Sequence, residues 1–558
     1  MSMHLNRAAG RLMQIVYCNH EQAVVAAADG YAKAADYRVP GLAIVTSGPG
    51  VTNTSTALAS AFYDSVPMFL ISGQAKLSDL NRFGVRSFGP QETPHTELLR
   101  PITKLSFMYD PKTVDNAQLA GNLALAMTGR KGPVHIDVPL DIQARDVKTN
   151  ADIAEVVATY QEILAKDESR SDSLPVELLD ALRFGQRPLV VLGNGLKIAS
   201  VSFADITELV NQLGYPALLT WASMDAIEHH HPLNFGCAGG LAGVHSNRIL
   251  QTADVIIFIG TRLDLLTTGF KPESYGKSAR RFVIDCDPAE RSKYAHVPGL
   301  VGIPIDVRAA VKALRAFAST QKGDHEAWLS ECRRWRQENQ IAEDRAFQTP
   351  RLTSYHVAKL ISRASTTRYI VPTASGFAIE GFARFYKAES NSRFAWAGHV
   401  LGSMGLAIPS AIGASTRLGK LVACVDGDGG FLFNMQELYT LKANPQLAIA
   451  IFVLNNRGYA SISMSQQRAF KQNFGADAYS GLAPIHFDAL ANIAGLDYIA
   501  CHSFNELEVA IAQIELNSRV LIDIYLEDDD QYRGPAISTK FDENGVPYST
   551  NLEDIAWR

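Results

Sequence analysis

One pattern recurs along the whole chain and restricts its fold more than any other: a short run of apolar, largely β-branched residues, a turn residue, then a helical pattern. Residues 41–48, 67–73 and 133–139 carry it first. These runs mostly lack the polar alternation of a half-exposed strand, so they read as strands covered on both faces, as in parallel sheets flanked by helices. A second group follows at residues 187–193, 253–260 and 281–285, and a third at 421–425, 447–454 and 520–525. The fold class expected is therefore α/β, with three doubly wound parallel-sheet domains in series. The boundaries expected are 1–150, 175–320 and 350–530, with a C-terminal tail over 531–558. At roughly 150 residues per domain, a length of 558 residues agrees with three or four such units. Residues 141–185 turn polar and read as a linker, most turn-like at Ser171, Asp172, Ser173, Leu174 and Pro175. Residues 321–351 read as a charge-rich helical connector holding Trp328 and Trp335.

Composition narrows the classes of partner. The 52 basic and 57 acidic residues leave a formal net charge of −5, too weak a field to grip nucleic acid. The densest basic cluster, Arg333, Arg334 and Arg336 around Trp335, reads as a solvated helix face. Six scattered cysteines with no CxxC pair indicate neither a zinc knuckle nor a disulfide framework, and suit a reducing compartment. Arg7, Arg11, His20, Glu21 and Asp29 interrupt the first 30 residues, so no signal peptide is read there. Residues 39–63 and 394–416 lack formal charge, but glycines, prolines and hydroxyl residues break both too often for a membrane helix. The expected location is the cytoplasm, with no membrane partner. His229-His230-His231 reads as a loop, because consecutive residues do not readily converge on one ion.

The sharpest chemical signal is Gly427-Asp428-Gly429 just past one expected strand, with Asn455-Asn456 at the end of the next. The 25 residues between Gly429 and Asn455 hold a helix, expected over 435–442, and a strand, so both ends return to one edge of a parallel sheet. A carboxylate and an amide oxygen then meet. Hard oxygen ligands on such loops suit a Mg²⁺ ion that also bridges a diphosphate, and the glycines let backbone N–H groups approach phosphate oxygens.

These residues resemble the thiamine diphosphate motif, and the chain as a whole resembles the acetohydroxyacid (acetolactate) synthase-like group of thiamine diphosphate enzymes. Asn19-His20-Glu21-Gln22, Thr46-Ser47-Gly48-Pro49-Gly50, Asp64-Ser65-Val66-Pro67, Gly132-Pro133-Val134 and Gly402-Ser403-Met404-Gly405 all match in order. The resemblance implies that Asp428, the Asn456 side chain and the Gly458 carbonyl hold Mg²⁺. Gly427, Gly429 and Tyr459 join them as cofactor-binding residues. Glu21 would protonate N1′ of the aminopyrimidine, a task that needs a carboxyl group of suitable pKa. Gly402 would offer its carbonyl to the 4′-amino group, and Met404 its N–H to N3′ and its side chain as a wedge. Gln91 would face the substrate. His399, just before this turn, is open to two readings, proton donor to a product alkoxide or packed histidine.

The resemblance implies decarboxylation of pyruvate or a similar 2-oxo acid to an acyl-anion equivalent. Simple decarboxylases carry a His-His pair and a Glu that supply protons; here the first domain has no such pair and the Glu position is Ile462, so carboligation to a carbonyl acceptor is expected. True acetolactate synthases show Phe-Asp-Asp-Arg where this chain has Leu263-Asp264-Leu265-Leu266, Phe-Gln where it has Pro90-Gln91, and a Trp near Ser465. Losing bulky and charged groups implies a larger acceptor. Residues 458–462, with Gly84-Val85-Arg86 and Gln91-Glu92, look like members of polysaccharide and branched-sugar pathways, some of which use a keto-sugar nucleotide. The alternatives are pyruvate itself as acceptor, or a catalytically silent cofactor-binding subunit. Leu266, in place of an Arg, leaves FAD open, and Gly193-Asn194-Gly195 alone is a weak dinucleotide signal. The family works as a homodimer or homotetramer, one chain holding the pyrimidine and its partner the diphosphate. A βα unit, on the order of 25 residues, is expected ahead of Met3-His4-Leu5 and is not evident in the sequence.

Overall fold

The computed structural model describes residues 14–145, 149–169, 173–293, 295–320, 323–348, 351–364, 366, 368–389, 392–527, 535–544 and 546–557. The expectation at Met3-His4-Leu5, and Arg7, Arg11, Ser171 and Asp172, lie outside these residues. Three parallel sheets follow one another. The first holds β1 (Gly41–Val45), β2 (Met68–Gln74), β3 (Leu105–Met108) and β4 (Pro133–Pro139) in the order β1-β2-β4-β3. The second holds β5 (Pro188–Leu192), β6 (Ala217–Leu219), β7 (Asn234–Cys237), β8 (Val255–Ile259), β9 (Arg280–Ile284) and β10 (Leu300–Ile303), ordered β10-β9-β8-β5-β6-β7. The third holds β11 (Tyr369–Pro372), β12 (Arg393–Phe394), β13 (Val422–Gly427), β14 (Ile449–Asn455), β15 (Asp497–Cys501) and β16 (Arg519–Tyr525), ordered β12-β11-β13-β14-β16-β15. Every residue of β5, β8 and β14 is buried, which is why these segments read as unbroken apolar runs.

Helix α1 (Glu21–Ala34) starts where His20 accepts the Gln22 N–H on its Nδ1. The stretch read as a polar linker is largely helical. It contains α2 (Asn150–Glu168), begun by a reciprocal Thr149/Asp152 capping box, and α3 (Val176–Phe184). Turn-like composition at its middle hid two helices whose polar faces stay in water. The connector is α4 (Glu326–Ala346), with Trp328 and Trp335 buried in the middle core. On its outer side Arg333 pairs with Glu326, and Arg334 lies 3.6 Å from Glu331 and 3.5 Å from Glu338. Arg336 instead donates to the Asn234 carbonyl at 3.0 Å and stacks on Phe235, so it is part of the packing. The tail packs on the middle domain through Ile537, Leu552 and Ile555. His229, His230 and His231 point to different neighbours: the His229 N–H to Ala388, the His230 ring toward Glu389 and the His231 ring to Asn211.

The first and third sheets share one hydrophobic core. Val25 and Ala32 of α1, Leu70 of β2, Ile412 of α5 (Ala407–Leu418) and Ile451 of β14 all belong to it. Helices α1 and α5 cross at backbone distance. A Cβ on Gly413 would lie 1.8 Å from the Ala27 carbonyl oxygen, and one on Gly30 would lie 2.0 Å from that of Ser410. The cores of the first and third domains are thereby continuous, and the start of α1, with Glu21, is set by both.

Candidate active site

Strands β13 and β14 pair in register from Val422↔Ile449 to Gly427↔Leu454, so their carboxyl ends open on the same edge. There the Asp428 carboxylate accepts the Gly429 N–H at 2.7 Å and the Gly458 N–H at 2.8 Å. Burial raises the Asp428 pKa to about 6 against these backbone bonds, which lower it. Asn455 is turned inward, its Nδ2 donating to Asp523 on β16 at 2.8 Å and its Oδ1 accepting the Arg457 N–H at 3.2 Å. Its neighbour Asn456 is different: its Oδ1 is buried and has no hydrogen-bond partner. An acceptor left so costs about 1–3 kcal/mol unless something satisfies it. The chain turns at Arg457 (φ 62°) and Gly458 (φ 152°). A carboxylate, an unsatisfied amide oxygen and a turn carbonyl form an all-oxygen donor set, which fits Mg²⁺. Among the described residues no group of three or more His, Cys, Asp or Glu could hold a metal by itself. The Tyr459 ring covers Gly429, where a Cβ would fall 2.2 Å from the ring, so this glycine is required sterically.

The turn at Gly402–Gly405 is anchored from the first domain. Asp64 accepts the backbone N–H groups of His399 at 3.1 Å and Val400 at 3.0 Å, and binds Lys33 at 2.9 Å. Burial opposes ionisation of Asp64, but Lys33, His399 and the hydrogen bonds outweigh it and hold the carboxyl below its usual range. Asn434, which sequence reasoning missed, donates to the Gly405 carbonyl at 2.8 Å. Met404 is half-buried. The His399 ring lies 3.9 Å from the Trp221 ring, its Nδ1 has no partner, and burial pushes its pKa down to about 4. It is therefore a neutral imidazole near pH 7 that brings the three domains together.

On the first sheet, Glu21 stands in the opening turn of α1 and accepts the Asn53 side-chain N–H at 3.0 Å. Asn53 follows the glycine turn by only a few residues, yet nothing in its type distinguished it. The preceding segment is tied down by Glu437, fully buried, at the start of α6 (Glu437–Ala443), which accepts the Asn19 and His20 N–H groups at 3.0 and 3.1 Å. That helix begins two residues later than expected, after a short 3₁₀ turn at Leu432–Asn434. Gly48 has φ 61° and ψ −114°, a conformation open in practice only to glycine. A Cβ there would also lie 2.9 Å from Gln91, whose own φ is 58°. The Ser47 hydroxyl approaches the Gln91 side-chain oxygen at 3.4 Å. Glu21 with Asn53 and Gly48 with Gln91 are two contacts on one segment, residues 48–53, and a Cβ on Gly50 within it would lie 3.8 Å from the Glu21 carboxylate, so the four make one cluster. Among the described residues no hydrogen bond or ion pair joins Glu21 or Gln91 to Asp428, Asn456 or the Gly402–Gly405 turn.

Behind this cluster His135 on β4 is fully buried between Ser72, at 2.7 Å, and Ser106, at 2.8 Å. Burial pushes its pKa down to about 4, against the pull of Asp137, so the folded ring is neutral. In the unfolded chain it titrates near 6.5. Its share of stability is whole above that pH and is lost as the pH falls toward 4, by about 3 kcal/mol. Urea unfolding at pH 7 and at pH 4.5 should show a smaller drop for His135→Leu than for the wild type; equal drops would refute this.

Of the residues that differ from the resembling family, Leu265 and Ile462 are exposed and Leu263 is buried. Ile462 and Ser465 are on α7 (Ala460–Phe470), with Ile462 45% exposed. Leu265 is 56% exposed, whereas Leu266 packs against the third-domain core and supplies no cation. Gly193 and Gly195 pack on the Gly260 backbone, where a Cβ on Gly193 would lie 2.2 Å from its carbonyl oxygen, so this turn has a structural reason for its glycines.

Comparison with known proteins agrees with the order of the three sheets. The family described as thiamine pyrophosphate enzyme, N-terminal TPP binding domain, matches residues 1–98; the central domain matches 176–314; the C-terminal TPP binding domain matches 376–524. The chain is thus a thiamine diphosphate-dependent enzyme. Acetolactate synthase 1, chloroplastic, of Nicotiana tabacum is 30% identical over 488 residues, covering 85% of this chain and 69% of the relative. The acetolactate synthase large subunit of Cyanidium caldarium is 28% identical over 520 residues, covering 90% and 84%. The chain belongs to the acetolactate synthase-like family of thiamine diphosphate enzymes. No helix among the described residues is long and apolar enough to cross a membrane.

Proposed function

We propose that this enzyme binds Mg²⁺ at Asp428, Asn456 and the Gly458 carbonyl, decarboxylates pyruvate or a similar 2-oxo acid, and joins the acyl unit to a carbonyl acceptor larger than pyruvate, of the keto-sugar nucleotide class. The observation that carries the reading is the buried, unsatisfied Oδ1 of Asn456, two residues before Gly458, whose N–H binds the Asp428 carboxylate. Bound thiamine diphosphate supplies the electron sink for loss of CO₂. Gly427, Gly429 and Tyr459 line the diphosphate side, and Gly402 and Met404 the pyrimidine side. Glu21 holds a proton at pyrimidine N1′, and Asn53 fixes the direction of its carboxylate. Gln91, seated by Gly48, orients the substrate. Ile462 brings no proton to the reacting carbon, which favours transfer to a carbonyl over simple protonation. His399 is proposed to give its ring N–H to the product alkoxide; its Nδ1 has no hydrogen-bond partner. The assembly proposed is a homodimer or homotetramer that pairs Glu21 of one chain with the Asp428 cluster of its partner, as the resemblance implies. Free cysteines throughout support a reducing compartment such as the cytoplasm. No step requires a flavin.

Exposed Leu265 and small Ser465 support the larger acceptor. The names of the relatives favour a second reading, with pyruvate as acceptor. Incubation with labelled pyruvate and a panel of acceptors, read by product mass, separates them. The expected product is a keto-sugar nucleotide gaining an acetyl unit. Acetolactate alone would overturn the larger-acceptor reading, and no CO₂ from any 2-oxo acid would overturn the decarboxylation.

A further inference from the structure

We infer that His95 is a positioning residue: its imidazole holds the Gly48 N–H, and with it the turn that seats Gln91 and borders Glu21, through a one-way chain of hydrogen bonds anchored on Asp137. The inference rests on the reading of Glu21 and Gln91 given above. His95 opens a short helix (His95–Leu99) and, like Asp137, Ser72 and His135, is 0% exposed. Its Nε2 accepts the Gly48 N–H at 3.1 Å, and its Nδ1 lies 3.1 and 3.2 Å from the two Asp137 oxygens.

Counting hydrogens fixes every direction in the chain. The Gln74 side-chain nitrogen lies 3.0 Å from the Thr93 carbonyl, from Asp137 and from His95 Nδ1, three neighbours for two hydrogens. The Gly48 N–H can only donate, so Nε2 is its acceptor, the hydrogen of the neutral ring sits on Nδ1 facing Asp137, and Gln74 gives its two hydrogens to Thr93 and Asp137. On the other side the Ser72 hydroxyl donates to Asp137 at 2.6 Å, which leaves its oxygen to accept the His135 Nε2 hydrogen at 2.7 Å. His135 Nδ1 then accepts from Ser106 at 2.8 Å. The chain closes with the His95 hydrogen on Nδ1 and the His135 hydrogen on Nε2, opposite tautomers, and burial keeps the His135 ring neutral near pH 7. A carboxylate that fixes the tautomer of a histidine acting on its far nitrogen is a known positioning device.

Stability alone explains this poorly. Buried charged and polar groups usually stabilise a core no better than apolar residues of the same volume. What an apolar replacement could not supply is an acceptor for Gly48, whose N–H would otherwise be orphaned beneath the turn at Glu21.

Two substitutions separate the roles. The Gln side chain reaches the place of Nε2 and the Asn side chain that of Nδ1. In the full-length enzyme with thiamine diphosphate and Mg²⁺, His95→Gln should keep kcat for CO₂ release within about threefold, and hydrogen exchange over residues 47–52 near wild type, whatever its Tm. His95→Asn keeps the donor to Asp137 but leaves Gly48 unpaired. Exchange over residues 47–52 should then rise about tenfold, and kcat should fall about 100-fold at unchanged cofactor affinity. Asp137→Asn, which frees His95 to carry its hydrogen on Nε2 against Gly48, should match His95→Asn. If activity and exchange instead follow Tm, with His95→Asn the better variant, the positioning role is wrong. Should the wild type release no CO₂ from any 2-oxo acid, the functional reading has failed. The exchange of residues 47–52 in His95→Asn then decides the inference alone: a rise supports the bond, no change refutes it.

Discussion

Glu21→Gln should reduce CO₂ release from pyruvate by at least about 10³-fold, while thiamine diphosphate and Mg²⁺ still bind with affinity within a few-fold of wild type. The amide keeps the volume of the carboxyl group and an oxygen for the Asn53 N–H, now at 3.0 Å, so the turn at the start of α1 should survive. What it loses is the capacity to hold and return a proton. Positioned proton transfer contributes about 10²–10⁴-fold in rate, and in the proposed role of Glu21 it precedes any reaction of the substrate. Steady-state CO₂ release and a fluorescence titration of the cofactor test the two halves separately. Retained turnover would sink the assignment; lost binding would mean that Glu21 shapes the pocket and does not act on the proton.

Substitutions at Asp428 and Asn456, the two proposed side-chain ligands, should affect the metal-free protein differently. Asp428→Ala removes the one ionised ligand and the acceptor of two backbone N–H groups, at Gly429 and Gly458. The metal-free protein should lose stability, and Mg²⁺-dependent cofactor binding should weaken by more than the 10–100-fold typical of merely supporting groups. Asn456→Ala deletes an oxygen that is buried with nothing to bond, so the metal-free Tm should stay level or rise, since an orphaned acceptor costs about 1–3 kcal/mol. Mg²⁺ affinity should still fall. Calorimetric titration and thermal melts with and without Mg²⁺ give both signs. A drop in metal-free Tm for Asn456→Ala, with Mg²⁺ affinity intact, would mean that Asn456 is structural and the ion sits elsewhere.

How far the sequence could be read depended on whether a residue's partner is near it in the chain. Strands such as β8 and β14 are buried along their whole length, so their composition announced them. The Gly427-Asp428-Gly429 and Asn455-Asn456 pair was legible because two adjacent parallel strands must bring their ends together. Glu437 was invisible: its bond to Asn19 spans 418 positions, and a Glu at a helix start is ordinary. His95 and Asp137 were missed for a similar reason. Asp137 sits in a segment that reads correctly as a strand, His95 carries no motif of its own, and only the packing of the short helix His95–Leu99 against β4 brings the two together across 42 positions. The linker misled in the other direction, since polar, turn-like composition is equally what a solvent-facing helix such as α2 requires.

The crossing of α1 and α5 has a consequence for recombining this protein with its relatives. Gly30 and Gly413 tolerate no Cβ because each faces a carbonyl of the other helix, so the two helices form one fitted pair although they lie in different domains. A chimera that takes its first domain from one parent and its third from another would join unmatched halves at this crossing and disturb the start of α1 at Glu21. Exchange of the middle domain leaves this pair untouched, provided the replacement keeps the Trp221 and Asp225 contacts to the third domain, so the crossing is the seam that recombination has to respect first.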